Sequence, residues 1–200
     1  VYPGHAGPST KELVIADNVH GKSAMDGPQL PPPSKSAESK HGVDFIVDTV
    51  MSTDDVTLIA TGPLTNIASA LNKEPRIAQR AKGLYIMGGG AYCGNWTAAA
   101  EFNIYVDPEA AYKVFHSGMP IYMCGVNLTR QCPVLRENVE KMRALGNKAG
   151  KFAAELLDFF ARGGDAHLHD PCAVAWIIDP SIVTSAYLHV DIELDGTLTR

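Results

Sequence analysis

Leu84-Tyr85-Ile86-Met87-Gly88-Gly89-Gly90-Ala91-Tyr92-Cys93-Gly94-Asn95 is an apolar run that stops at three glycines, and Glu101-Phe102-Asn103 lies a few residues further on. A short apolar run closed by glycine reads as a buried strand that delivers a loop. Asp107-Pro108 then opens a helix, with the aspartate placed to cap and the proline suited to the first helical position. Gly118 marks its end. The glycines let backbone approach a ligand closely, while Asn95, Glu101 and Asn103 supply two amides and a carboxylate, a set that suits a molecule rich in hydroxyls.

The same alternation extends to both sides of this stretch. Val43, Ile46, Val47, Val50 and Met51 repeat at helical spacing, and Val56-Thr57-Leu58-Ile59-Ala60-Thr61 follows as a β-rich run closed by Gly62-Pro63. With Pro63 at its first position, the next helix is expected over 64–71. Pro120 to Val126 reads as a further strand, followed by helices over 137–145 and 151–162 and by another through 173–177. Recurring strand and helix predict an α/β fold: a mainly parallel, Rossmann-like open sheet with helices on both faces, whose ligands bind beyond the carboxyl ends of the strands. Leu188, Val190, Ile192 and Leu194 alternate with polar residues, which predicts a half-buried strand ending at an Asp195-Gly196 hairpin. Residues 1–39 are rich in Pro, Gly and Ser and read as irregular, although Asp17-Asn18-Val19-His20-Gly21 mixes polar groups with a turn glycine in a manner that suits function. No internal repeat or linker is found, so 1–200 is expected to be a single, partial domain. It starts at Val1 and stops just after a turn, which suggests pieces missing at both ends.

Composition narrows the function classes. Of the 200 residues, 46% are hydrophobic, enough for a real core in a globular chain. A net charge of -5 with no Lys/Arg cluster argues against a nucleic-acid surface, and no apolar stretch approaches a membrane span. Cys93, Cys124, Cys132 and Cys172 form no C-x-x-C pair and lie in or beside apolar runs, as expected of free thiols in a reducing, cytoplasmic compartment. No G-x-S-x-G elbow, Walker loop or full G-x-G-x-x-G fingerprint is present.

Three loops follow strands, at Thr61-Gly62, at 88–103 and at Asn127-Leu128-Thr129, and His169-Asp170 starts a helix that could face the same crevice. A carboxylate at a helix start has a cap as its simplest role, so Asp170 stands open between capping and metal binding. His167-x-His169-Asp170-x-Cys172 has the residue types of a zinc site, but no second ligand pair at usual spacing.

Taken together, Ala16-Asp17-Asn18-Val19-His20-Gly21, Ala60-Thr61-Gly62-Pro63-Leu64-Thr65-Asn66, the stretch from Met87 to Ala111, Gly125-Val126-Asn127-Leu128-Thr129, His169-Asp170-Pro171-Cys172-Ala173 and Val190-Asp191-Ile192-Glu193-Leu194 resemble the nucleoside hydrolases, the inosine-uridine preferring N-ribohydrolases. The resemblance implies hydrolysis of ribonucleosides to ribose and base by a water held on calcium. It assigns Thr61 (through its carbonyl) and Asp170 to the calcium, and Asn95, Glu101 and Asn103 to ribose hydroxyls. Met87 would lie under the sugar, His169 would be the general acid beside the leaving base, and His20 would belong to a loop near that base. It also implies a homo-oligomer, dimer or tetramer, taking a small nucleoside with neither nucleic acid nor membrane as partner. The family's Asp-x-Asp-x-Gly-x-Asp-Asp run, which would supply further calcium ligands and the base that activates water, does not occur in residues 1–200. The stretch between Phe160 and His169 is short for a flap over the base. Two expectations follow: an enzyme whose full-length form is active while this chain alone is not, or a truncated, non-catalytic relative that binds a ribose-like ligand or serves as an assembly partner.

Overall fold

A computed structural model describes residues 1–21, 23–164 and 166–194, so the Asp195-Gly196 hairpin lies outside the described residues. In chain order the elements are α1 (Asp17–His20), α2 (Gly42–Ser52), β1 (Thr57–Ala60), α3 (Thr65–Lys73), α4 (Ile77–Arg80), β2 (Gly83–Met87), α5 (Phe102–Val106), α6 (Pro108–Phe115), β3 (Ile121–Cys124), α7 (Val126–Thr129), α8 (Arg136–Ala144), α9 (Lys148–Phe160) and α10 (Asp170–Ile178). They fall into two compact units. The first comprises 1–13, 36–129 and 169–200, and the second 14–35 and 130–168.

The first unit is built on a wholly parallel sheet in the order β1-β2-β3. Alternation along β2 sorts its side chains. Leu84 and Ile86 are fully buried against α2, α3, α4 and α6, while Tyr85 points to the opposite face. There it stacks on its register partner Tyr122 at 4.3 Å, and Trp176 of α10 meets both rings edge-on at 5.6 and 5.5 Å. Helices therefore cover both faces, as the alternation of elements predicts. The registers Ala60↔Ile86 and Met87↔Cys124 end the three strands level with one another, so Thr61, Gly88 and Gly125 emerge along one edge.

The second unit pairs α8 with α9. Asn147 caps α9 by accepting from the Gly150 N–H at 2.7 Å, and Arg143 of α8 pairs with Asp158 of α9. An isolated antiparallel bridge joins Pro133 to His167.

Several sequence expectations need correction. Helix α3 starts at Thr65 with Leu64 as its cap residue, so Pro63 lies outside the helix. Residues 188–194 form no strand among the described residues. Alternation supplies faces but not a partner, and here Ile192 alone drops into the core while Leu188 stays exposed. Asp170 is the first residue of α10 rather than the residue before it; His169 holds the cap position, and its side chain makes no cap hydrogen bond. Glu101 and Asn103 are not in open loop, because Phe102–Val106 closes a short helix whose cap is Glu101. Cys124 and Cys172 are buried, Cys93 and Cys132 half-buried, and none of the four is in a disulfide. No helix among the described residues is long and apolar enough to cross a membrane.

Candidate active site

The carboxyl edge of the sheet is held by bonds that run between its loops. Gly89 adopts φ +74°, which favours glycine, and its carbonyl accepts from the Val126 N–H at 2.9 Å. Asn127 reaches back across the same gap, its Oδ1 accepting from the Ala91 N–H at 3.1 Å. At Gly90 a Cβ would come within 2.0 Å of the Cys93 carbonyl oxygen, so the turn is closed to any side chain.

Within this frame the three polar residues of the loop each use part of their side chain on backbone. Glu101, 2% exposed, accepts through Oε2 from the N–H groups of Gly89 at 2.9 Å and Ile104 at 3.2 Å. Asn95 Oδ1 accepts from the Phe102 N–H at 2.8 Å. Asn103 Nδ2 donates to the Met87 carbonyl at 2.9 Å and lies 3.4 Å from the Met87 sulfur. These bonds fix the side chains. They leave the Asn95 amide nitrogen, the Asn103 carbonyl oxygen and further lone pairs of the Glu101 carboxylate as groups with which to meet hydroxyls. Met87, 4% exposed, ends the strand beside them.

Burial pushes the Glu101 carboxyl above its ordinary value. Backbone N–H groups of Asn103, Gly89 and Ile104 oppose the rise, and the nearby Asp170 charge adds to it. Asp170 opens α10, a helix that packs on β2 and β3. His169 is tied to the end of α7 by a 2.8 Å hydrogen bond between its Nδ1 and the hydroxyl of Thr129. The first unit thus gathers Met87, Asn95, Glu101, Asn103, His169 and Asp170 around the strand ends, with Thr61 leaving β1 on the same edge. His20 belongs to the second unit, where its ring lies parallel to that of Phe160 at 6.0 Å.

Asn127 and Thr129 were not assigned roles from sequence alone. Their signal is positional, since both are polar residues just beyond the carboxyl end of a parallel strand. Among the described residues no group of three or more His, Cys, Asp and Glu is gathered to hold a metal.

In open α/β sheets the crevice beyond the carboxyl ends of the strands is where ligands bind, and this edge has that position. A profile of the inosine-uridine preferring nucleoside hydrolases matches residues 1–200, and the chain belongs to that family. It is 44% identical over 206 residues to the pyrimidine-specific ribonucleoside hydrolase RihA of Salmonella paratyphi A, covering 98% of this chain and 66% of that one. To the RihA of Photobacterium profundum it is 45% identical over 201 residues, covering 96% and 65%. Among solved structures, the purine-preferring ribonucleoside hydrolase from Gardnerella vaginalis superposes with a TM-score of 0.92 at 35% identity, covering all of this chain and 67% of that one. A plant nucleoside hydrolase, PpNRh1, gives 0.90 at 31% identity, covering 98% and 65%. The chain spans about two thirds of the length of these relatives.

Proposed function

We propose that the full-length protein hydrolyses the N-glycosidic bond of ribonucleosides. The observation that carries this reading is the divided use of Asn95, Glu101 and Asn103, each fixed by backbone and each retaining polar atoms at the strand ends. Three such groups beside the apolar surface of Met87 suit a sugar ring with several hydroxyls.

In the reaction a water oxygen bonds to the anomeric carbon, the C–N bond breaks, and its electron pair passes to the base. His169 supplies the proton that the departing nitrogen takes up, a role suited to imidazole. The breaking bond leaves positive charge on the sugar, which the Glu101 carboxylate stabilises. The proton lost by the water goes to the aspartate-rich run expected of the family, which residues 1–200 do not contain.

The residues present fit a calcium ion in kind. The Thr61 carbonyl and the Asp170 carboxylate are hard oxygen donors, and a cation beside Asp170 would relieve its repulsion with Glu101. They fall short in number, so further oxygens must complete the shell. When bound, the ion would make water a better nucleophile. His20 is assigned to the base side of the substrate, and the full-length protein to a cytoplasmic homo-oligomer. The relatives named include two pyrimidine-specific enzymes and one purine-preferring enzyme, so a pyrimidine and a purine nucleoside are both substrates to test.

Full-length protein, supplied with calcium, should release ribose from inosine or uridine. Absence of release from a folded preparation sinks the reading. Calcium-independent ribose binding, unaffected by Asp170→Ala in calorimetry, would instead favour a non-catalytic binder.

A further inference from the structure

We propose that Thr129 is a positioning residue for His169, holding the imidazole so that Nε2 serves the leaving base; this rests on the reading of His169 as the proton donor. Thr129 is the last residue of α7, is 0% exposed, and lies 40 residues from His169 in sequence. Valine would fill the same volume, and a buried hydroxyl without a partner costs about 1–3 kcal/mol, so a threonine here calls for a bond. That bond is the 2.8 Å contact with His169 Nδ1.

The local backbone gives the contact its meaning. His169 occupies the cap position of α10 with φ -84° and ψ -73°, and its ring does not cap the helix. Thr129 takes up Nδ1 instead. A hydroxyl can donate or accept, so it retains the ring in either tautomer, whereas a one-way donor or acceptor would favour one. With Nδ1 committed to Thr129, Nε2 is the nitrogen assigned to the base. The same turn holds the glycine loop through Asn127. Asn127 and Thr129 of α7 thus tie the glycine loop and His169 to one short helix.

The test uses full-length protein with Thr129→Val and Thr129→Ser, assayed on uridine or inosine and on p-nitrophenyl β-ribofuranoside. The aryl leaving group departs without a proton, so it bypasses the acid. Thr129→Val should lower kcat on the nucleoside about 10- to 100-fold with little change in KM, a fraction of what a general acid contributes. It should leave the aryl riboside within about 3-fold, and Thr129→Ser should restore most nucleoside turnover. Equal losses on both substrates, or unchanged nucleoside kcat, would overturn the proposal. A readout independent of turnover is the imidazole ¹⁵N signal of His169 Nδ1, which should move in Thr129→Val and hold in Thr129→Ser. If wild-type protein cleaves neither substrate, the hydrolase reading fails, and the ¹⁵N comparison alone decides whether Thr129 holds the ring: a shift in Thr129→Val upholds it, an unmoved signal overturns it.

Discussion

Asp107 and Glu101 are both buried carboxylates, and their surroundings treat them differently. Asp107, 0% exposed, accepts from the Ser9 N–H and hydroxyl, the Thr65 hydroxyl and the Ala110 N–H, at 2.9, 3.0, 2.6 and 3.0 Å. It caps α6 and pins the N-terminal segment and α3 to that helix. Asp107→Ala removes a cap and strands buried donors, which should cost about 3 kcal/mol in urea unfolding; a loss under about 1 kcal/mol would contradict this role. Glu101 has fewer compensating bonds than its burial demands, so its carboxyl lies above the ordinary 4.5. A raised carboxyl pKa means that the folded state keeps a proton the unfolded chain has already lost. The stability due to that proton is complete below 4.5 and falls as pH rises through the folded value. Glu101→Gln keeps an oxygen for Gly89 and Ile104 and has no proton to lose. Its urea midpoint should therefore gain on wild type from pH 4.5 towards neutrality, and parallel pH profiles would refute the assignment.

At the scale of elements, the glycine turn after β2 makes a contrast that can be measured. A Cβ at Gly88 would meet nothing closer than 3.5 Å, whereas at Gly90 it would strike the Cys93 carbonyl at 2.0 Å and Val126 at 2.9 Å. Gly90→Ala should lower the thermal midpoint by several degrees, on the order of 2 kcal/mol, and Gly88→Ala should leave it nearly unchanged. Equal behaviour of the two variants would show that the turn is not held as described. The strands and long helices were legible because apolar periodicity and punctuation agree, as at Asp107-Pro108, where the cap predicted from sequence is the cap observed. Asp170-Pro171 carries the same dipeptide, yet α10 begins one residue earlier. His169 holds the cap position there without capping, and its ring bonds Thr129 instead, a partner that local sequence does not reveal. Helix α5 leaves no clear signal in the sequence, because its five residues are too few for periodicity and its cap is a glutamate rather than a Ser, Thr, Asp or Asn. The alternation at 188–194 promised a strand, but a strand exists only where another pairs with it.

At the scale of the molecule, the polar cluster after β2 was legible because its residues lie close in sequence, between Met87 and Asn103. The rest comes from distant segments, Thr61 just after β1 and His169-Asp170 at the start of α10, brought together by the parallel sheet and the packing of α10 on it. The ties that hold these parts, Thr129 to His169 and Asn127 to Ala91, are tertiary and carry no sequence period. One consequence separates recognition from turnover. Residues 1–200 contain the groups proposed to meet the sugar but not the aspartate-rich run expected to activate water, so this chain alone should show no detectable hydrolysis. The most direct measurement of the central claim is ribose release from uridine and inosine, with calcium, by the full-length protein beside the 200-residue chain. The account predicts release by the first and none by the second. No release by a folded full-length protein, or robust turnover by the shorter chain, would contradict it.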